Sequence, residues 1–249
     1  MKYILFPILI LSLFSNLCFA QPFKKSIDIG YYSLPPHAMQ FLEAPTGAAV
    51  DYLHEKIFPE NQYFITWKLL PFARVLSELR AGRLDCAILI AKTTSREQEF
   101  KYPDSYLYQT KSGLITLKTH ELTDITSLSQ LKGMHLGHVS GSVRPKELEL
   151  LGVSFEDISG KDFTRRNIKK LEKGRIDAVY VPTLSHAKYE YEYEEMNESV
   201  EVNFLSLPMI GGHKLYVVFR RDFSMDIIND FNVRNEKYAG EYLNYLQKY

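Results

Sequence analysis

The chain has 249 residues, with 30 basic against 30 acidic side chains and 45% hydrophobic residues. Balanced charge without a basic block excludes a protein that binds nucleic acid or acidic membrane by electrostatics. The length suffices for sizeable cores in one or two domains, and 17 Tyr with 15 Phe supply rings for packing or for gripping a ligand.

The amino terminus comes first. Lys2 precedes an apolar run from Tyr3 to Phe14, and Ser15-Asn16-Leu17-Cys18-Phe19-Ala20 ends in the small residues that a signal peptidase reads. Residues 1–20 are therefore expected to be a cleaved signal peptide, which places the mature protein in the periplasm from about Gln21. Leu17 stands where a lipid anchor on Cys18 wants a small residue. Cleavage leaves Cys86 as the one cysteine, in an apolar run where it serves as a small hydrophobe, so no intrachain disulfide is expected.

Ser26 to Tyr32 alternates and runs into Leu34-Pro35-Pro36-His37, a strand followed by a rigid turn. Val50, Leu53, His54 and Ile57 have helical spacing, with Pro59 as the stop, and Tyr63 to Leu69 is a second strand. Pro71 opens a helix with Phe72, Val75, Leu76 and Leu79 on its apolar face and Gly82 at its end. The strand Asp85 to Ile90 follows, and Thr94-Ser95-Arg96-Glu97 spells a capping box. Gly113 to Lys118 is extended, Leu128 to Gly133 is a short helix, Met134 to Val139 is a strand, and Gly141-Ser142 turns into the next helix. Tyr189 to Glu195 alternates Tyr with Glu and reads as a solvated amphipathic helix. Lys214 to Arg220 is a return strand, and Met225 to Tyr249 is helical, with Ile228, Phe231, Tyr238, Tyr242 and Leu246 as core contacts.

One junction occurs twice. Leu79-Arg80-Ala81-Gly82-Arg83-Leu84-Asp85 returns 92 positions later as Leu171-Glu172-Lys173-Gly174-Arg175-Ile176-Asp177. Each copy leads from a helical pattern through a left-handed glycine into an apolar strand. The repetition implies two similar α/β lobes with a ligand cleft between them. The expected division is residues 21–111 plus 213–249 for lobe one and 112–212 for lobe two, with two crossings acting as a hinge.

Four segments in order resemble the periplasmic solute-binding proteins of the amino-acid-binding type, family 3. They are Gly30-Tyr31-Tyr32-Ser33-Leu34-Pro35-Pro36; Pro71-Phe72-Ala73-Arg74 with Gly82-Arg83-Leu84-Asp85; Thr93-Thr94-Ser95-Arg96 with Phe100 to Tyr106; and Leu131-Lys132-Gly133 and Gly141-Ser142 with Gly174 to Ala178. The resemblance implies a type II periplasmic-binding-protein fold with a central cleft and a two-strand hinge. It also implies that Arg96 clamps a ligand carboxylate, a role suited to a guanidinium fork at a helix start. Phe72 and Tyr31 or Tyr32 correspond to the aromatic lid. Ala91 and the loop Ser140-Gly141-Ser142-Val143 fall on ligand positions, and Arg74 and Arg144 stand as rim charges.

The departures concern the ligand. Family members carry hydroxyl residues where this chain has Leu89 and Ala91, and the carboxylate that meets an α-ammonium falls at Pro182. The expected function is capture of a small polar or anionic solute, amino-acid-like or carboxylate, for an ABC-type importer. The expected partners are a small molecule and a membrane permease complex, the protein being a monomer without cofactor. The seven histidines show no metal-ligand spacing. The alternatives are a cleft enzyme of the dehydratase kind, using Glu43, Asp51 or His37, and an orphan sensory binding protein.

Overall fold

The structure, a computed structural model, describes residues 24–160, 162–193 and 200–249, so the expected signal peptide with Cys18, and Glu194-Glu195 of the tyrosine-rich run, lie outside the described residues. The first strand, β1 (Lys25–Tyr31), buries Ile27, Ile29 and Tyr31. A small hairpin that the sequence pattern does not announce follows, β2 (Met39–Phe41) and β3 (Ala44–Thr46). Its turn residues Leu42 and Glu43 adopt left-handed φ values of 46° and 64°. The expected helix is α1 (Ala48–Tyr52), which widens into a π-helical turn over Leu53–Ile57 before Pro59.

Next come β4 (Tyr63–Leu69), α2 (Phe72–Arg80), β5 (Cys86–Ala91) and α3 (Thr94–Glu99). Pro71 is the residue before the first turn of α2, so the helix begins one residue later than expected. Thr93 caps α3, its Oγ1 accepting the Arg96 N–H at 3.2 Å, so here the cap sits one residue before the expected Thr94. The short strands β6 (Phe100–Lys101) and β7 (Tyr108–Gln109) complete the first half.

The second half contains β8 (Gly113–Leu117), β9 (His135–Val139), α4 (Lys146–Leu150), β10 (Ser154–Ile158), α5 (Phe163–Glu172), β11 (Ala178–Val181), α6 (Leu184–Tyr193) and β12 (Val202–Ser206). The chain then returns as β13 (Lys214–Arg220), α7 (Met225–Lys237) and α8 (Tyr242–Leu246). Ile228, Phe231 and Tyr242 are buried against the first sheet, with Tyr238 and Leu246 packed at the edge of the same core.

The strands form two main sheets. One has the order β4-β1-β5-β13-β6 with β7 also on β13; the other is β10-β9-β11-β8-β12. In each, two parallel pairs meet an antiparallel strand: β4, β1 and β5 meet β13, and β10, β9 and β11 meet β8. The repeated sequence junction occupies equivalent places. Asp85 Oδ2 accepts the Asp28 N–H at 2.9 Å while its own N–H donates to the Asp28 carbonyl at 2.9 Å. Asp177 Oδ2 accepts the His135 N–H at 2.7 Å, and its N–H donates to the His135 carbonyl at 2.8 Å. Each aspartate thus grips the neighbouring parallel strand before its own strand begins, and Gly82 and Gly174 supply the left-handed turns, with φ of 71° and 62°.

The two connections between sheets run side by side. Thr110 N–H donates to the His213 carbonyl at 2.9 Å, and His213 N–H returns to Thr110 Oγ1 at 3.0 Å. A Cβ on Gly212 would lie 1.5 Å from the Thr110 carbonyl oxygen, so only glycine permits this approach.

Candidate functional site

The site is a cavity walled by both sheets. From the first come Tyr32 and Leu34 beyond β1, Phe72 at the start of α2, Leu89 and Ala91 of β5, and Leu215 of β13; from the second come Val139, Val181, Pro182 and Thr183. Arg96, Ser142, Val143, Phe163, His186 and His213 complete the wall, around about 560 Å³ of atom-free space including the mouth.

Arg96 lies in the first turn of α3 and is 8% exposed. Its Nη1 donates to the Ala91 carbonyl at 2.8 Å, and its Nη2 crosses the cleft to the Gly141 carbonyl at 2.6 Å. The guanidinium carbon sits 5.6 Å from the centre of the Phe72 ring, a cation–π contact. Burial pushes its pKa below the ordinary arginine value, with the Tyr102, Tyr32 and Glu99 side chains acting in the opposite direction. Among the described residues no carboxylate forms an ion pair with Arg96; Glu99 instead meets Arg80 at 2.5 Å.

Aromatic and loop residues pack round this cation. Tyr32 donates from its hydroxyl to the Leu89 carbonyl at 2.9 Å and meets Phe72 edge-on, with ring centres 4.7 Å apart. Tyr31 points to the opposite face of the sheet, buried edge-on against Trp67, so of the two expected lid tyrosines it is Tyr32 that reaches the cavity. Alternation of side chains along a strand makes the pair mutually exclusive at one face.

The 140–144 loop is held from behind: His138 Nδ1 lies 2.7 Å from Asp157 Oδ1 and its Nε2 is 3.4 Å from the Val143 carbonyl. Arg144 Nη2 donates to Asp157 Oδ2 at 2.6 Å. Ser142 and Val143 line the cavity, but the following helix starts only at Lys146 behind Pro145, so its amides do not open at Ser142 as the sequence suggested. Arg74 is absent from the wall: it is mostly exposed and pairs with Glu78 at 2.6 Å, a carboxylate shared with Arg83.

Sequence reasoning missed Leu34, Val139, Phe163, Val181, Thr183, His186, His213 and Leu215 as wall residues. The 92-residue repeat could have found Thr183, because Leu89 and Ala91 shifted by that interval become Val181 and Thr183, and all four line the cavity. His186 had no such signal. It lies on the hidden face of α6, 3% exposed, with Nδ1 3.1 Å from the Pro35 carbonyl across the cleft. A carbonyl only accepts, so that nitrogen carries a proton. Its Nε2 is 3.1 Å from Glu190 Oε2, and Glu190 is 2% exposed. The helix expected to be simply solvated therefore shows Tyr193 to solvent, its ring stacked on Tyr189 with centres 4.3 Å apart, but buries a His–Glu pair on its other side.

The dehydratase candidates stand apart from the cavity. Glu43 is exposed in the hairpin turn, Asp51 accepts the Tyr249 hydroxyl at 2.7 Å, and His37 sits in the core with its Nδ1 2.7 Å from the Tyr242 hydroxyl. Among the described residues no cluster of three His, Cys, Asp or Glu side chains could hold a metal ion, and no helix is long and apolar enough to cross a membrane. Cys86 is buried, with its thiol pKa pushed up by burial and by Asp85 and Asp28.

Two sheets, two adjoining connections and one shared cavity define a two-lobed binding protein of the type II periplasmic class. The chain belongs to the bacterial extracellular solute-binding proteins, family 3, whose family model matches residues 27–222. It is 30% identical over 116 residues to the probable amino-acid-binding protein YxeM of Bacillus subtilis (strain 168), an alignment spanning 46% of this chain and 43% of that protein. The match thus covers less than half the length of that curated relative. An ancestral arginine-binding protein bound to arginine superposes with a TM-score of 0.73 at 19% identity, covering 90% of this chain and 98% of that one. The amino acid ABC transporter substrate-binding protein AbpA of Streptococcus pneumoniae, bound to L-arginine, gives a TM-score of 0.70 at 20% identity over 90% and 93% of the two chains.

Proposed function

We propose that this protein is an exported receptor that captures a small carboxylate-bearing solute between its lobes and hands it to an ABC-type importer. The lobes are residues 21–111 with 213–249, and 112–212, a division supported by the membership of the strands in the two sheets. The observation that carries the reading is Arg96, a buried guanidinium in the wall of the interlobe cavity with no carboxylate ion-paired to it among the described residues. A buried cation is costly unless an anion joins it, and a bidentate carboxylate suits the guanidinium fork.

A binding role is supported by the composition of the wall, whose described residues are mostly apolar and include neither Asp nor Glu. The residues that hold solute are Arg96, Phe72, Tyr32, Ala91, Ser142 and Val143. Family membership and the ABC transporter proteins of the same fold support the permease partner and a location outside the cytoplasm.

The test is titration calorimetry of the mature protein against small carboxylates and amino acids, repeated on Arg96→Ala. The expected result is a ligand whose binding weakens by roughly 2–5 kcal/mol in the variant. Affinity within twofold of wild type in Arg96→Ala would sink the assignment.

A further inference from the structure

We propose that the solute is a monocarboxylate with an apolar body and no ammonium group, so that the protein selects against α-amino acids. This rests on the cavity being the solute site, as argued above, and goes on to the charge and shape of what fills it.

The first observation is charge. Among the described residues, Arg96 is the one side chain in the cavity wall with a permanent charge. A monoanion neutralises it. A zwitterion cancels only within itself, leaving the guanidinium's charge and adding an ammonium that needs its own counter-charge nearby. Pro182 lines the wall at the end of β11, and neither Asp nor Glu joins it there. Glu190 is buried with its Oε2 3.1 Å from His186 Nε2 and without a hydrogen-bond partner, but it is not part of the wall.

The other polar groups are already engaged or cannot supply charge. His186 Nδ1 meets the Pro35 carbonyl, while its Nε2, 3.1 Å from Glu190 Oε2, makes no hydrogen bond; an imidazole brings no negative charge to an ammonium. His213 Nε2 is 3.2 Å from the Tyr180 hydroxyl, and its pKa is lowered by burial and then by the positive charge of Arg96. Tyr32 donates to the Leu89 carbonyl, and the Gly141 carbonyl is occupied by Arg96 itself. Ser142 and Thr183 offer hydroxyl lone pairs, which accept a hydrogen bond but do not neutralise an ammonium. The Phe72 face, the natural seat for a ligand cation, already carries the guanidinium.

The second observation is shape and surface. Leu34, Leu89, Val139, Val181, Leu215 and Phe163 make the remaining wall aliphatic and aromatic, which suits a branched alkyl or phenyl body. The matching chemistry is a short branched or aryl-substituted alkanoate.

The experiment compares matched pairs on the full mature protein by calorimetry and thermal shift: 4-methylpentanoate against leucine and 3-phenylpropanoate against phenylalanine, within a panel of short monocarboxylates and with arginine included. The expected result is binding by at least one acid, with its amino counterpart weaker by 100-fold or more. Pro182→Asp, checked for intact folding by its unfolding curve, should narrow that ratio at least tenfold by giving the ammonium a partner. An amino acid that binds as tightly as its deaminated partner, and loses affinity in Arg96→Ala, overturns the inference but leaves the carboxylate site standing. Silence from the whole panel and all the amino acids, or acid binding unaffected by Arg96→Ala, overturns the carboxylate reading itself.

Discussion

Arg96 does more than wait for a ligand. Its bonds to the Ala91 and Gly141 carbonyls tie β5 to the opposite loop, so its removal also costs stability, contrary to the simple expectation that a cleft-facing side chain is free to go. Arg96→Ala should lower the unfolding free energy of the unliganded protein by about 1–3 kcal/mol, the usual worth of charge-assisted hydrogen bonds, measured by urea denaturation. Arg96→Lys should recover charge but not ligand affinity, because one ammonium cannot reproduce the planar fork. The histidines set a pH dependence. Burial first, and the His186 ring second, pull the His37 pKa from 6.5 down to about 3. The unfolded chain takes up that proton as pH falls past 6.5 whereas the folded chain does not until about 3, so this contribution is whole above 6.5 and is lost through that window. His138 and His213, also lowered chiefly by burial, act in the same direction. Unfolding free energy should therefore drop on acidification below about pH 6.5, by up to about 1.4 kcal/mol per pH unit for each such histidine. His37→Gln should flatten the profile; an unchanged slope would remove His37 from the account.

At the scale of the element, the two copies of the repeated junction differ in what their aspartates hold. Asp85 accepts from Asp28 N–H and also from Arg220 Nε at 3.1 Å, and it is half-buried. Asp177 accepts from His135 N–H and is exposed. Asp85→Ala should cost about 2–3 kcal/mol and Asp177→Ala about 1 kcal/mol or less, an order that chemical denaturation of the two variants would check. The start of α2 falls one residue later than read from sequence, with Pro71 as the cap and not the first residue, and the cap of α3 falls one residue earlier, at Thr93, because an extended residue ahead of the first turn is both the last of the loop and the first acceptor of the helix. The hairpin β2–β3 escaped notice because Phe41-Leu42-Glu43-Ala44 lacks the glycine or asparagine that usually marks left-handed turn residues.

For the whole molecule, the proposed two-lobe reading makes the paired connections at Thr110 and His213 the hinge of closure. Gly212→Ala places a Cβ against the Thr110 carbonyl oxygen, a backbone atom that cannot swing aside, so the segments must separate. The expected outcome is a lower melting temperature and ligand affinity reduced about tenfold, the rough scale of a 1.4 kcal/mol change in closure, read by thermal shift and calorimetry on the same preparation. In the parent protein, ligand at 100-fold over its dissociation constant should add about 2.7 kcal/mol of stability.

What the sequence by itself determined was the α/β alternation and the two-fold junction, and it singled out the arginine that the structure places in the cavity wall. Hydrophobic period, left-handed glycines and an arginine in a recognisable capped segment are local properties, readable wherever the chain is read. The choice of Tyr32 over Tyr31, the diversion of Arg74 and Arg144 to Glu78 and Asp157, and the burial of His186 with Glu190 were decided only in three dimensions. Each depends on what a residue distant in sequence places beside it: a polar helix face is hidden or wet according to the neighbour that covers it, and a surface arginine is free or spent according to the carboxylate that reaches it. The two sheets bring Ala91, Pro182 and Thr183 to one wall from separate stretches of chain, and it is that meeting, set by sheet order and not by any local pattern, that leaves the Arg96 charge without an ion-paired carboxylate among the described residues.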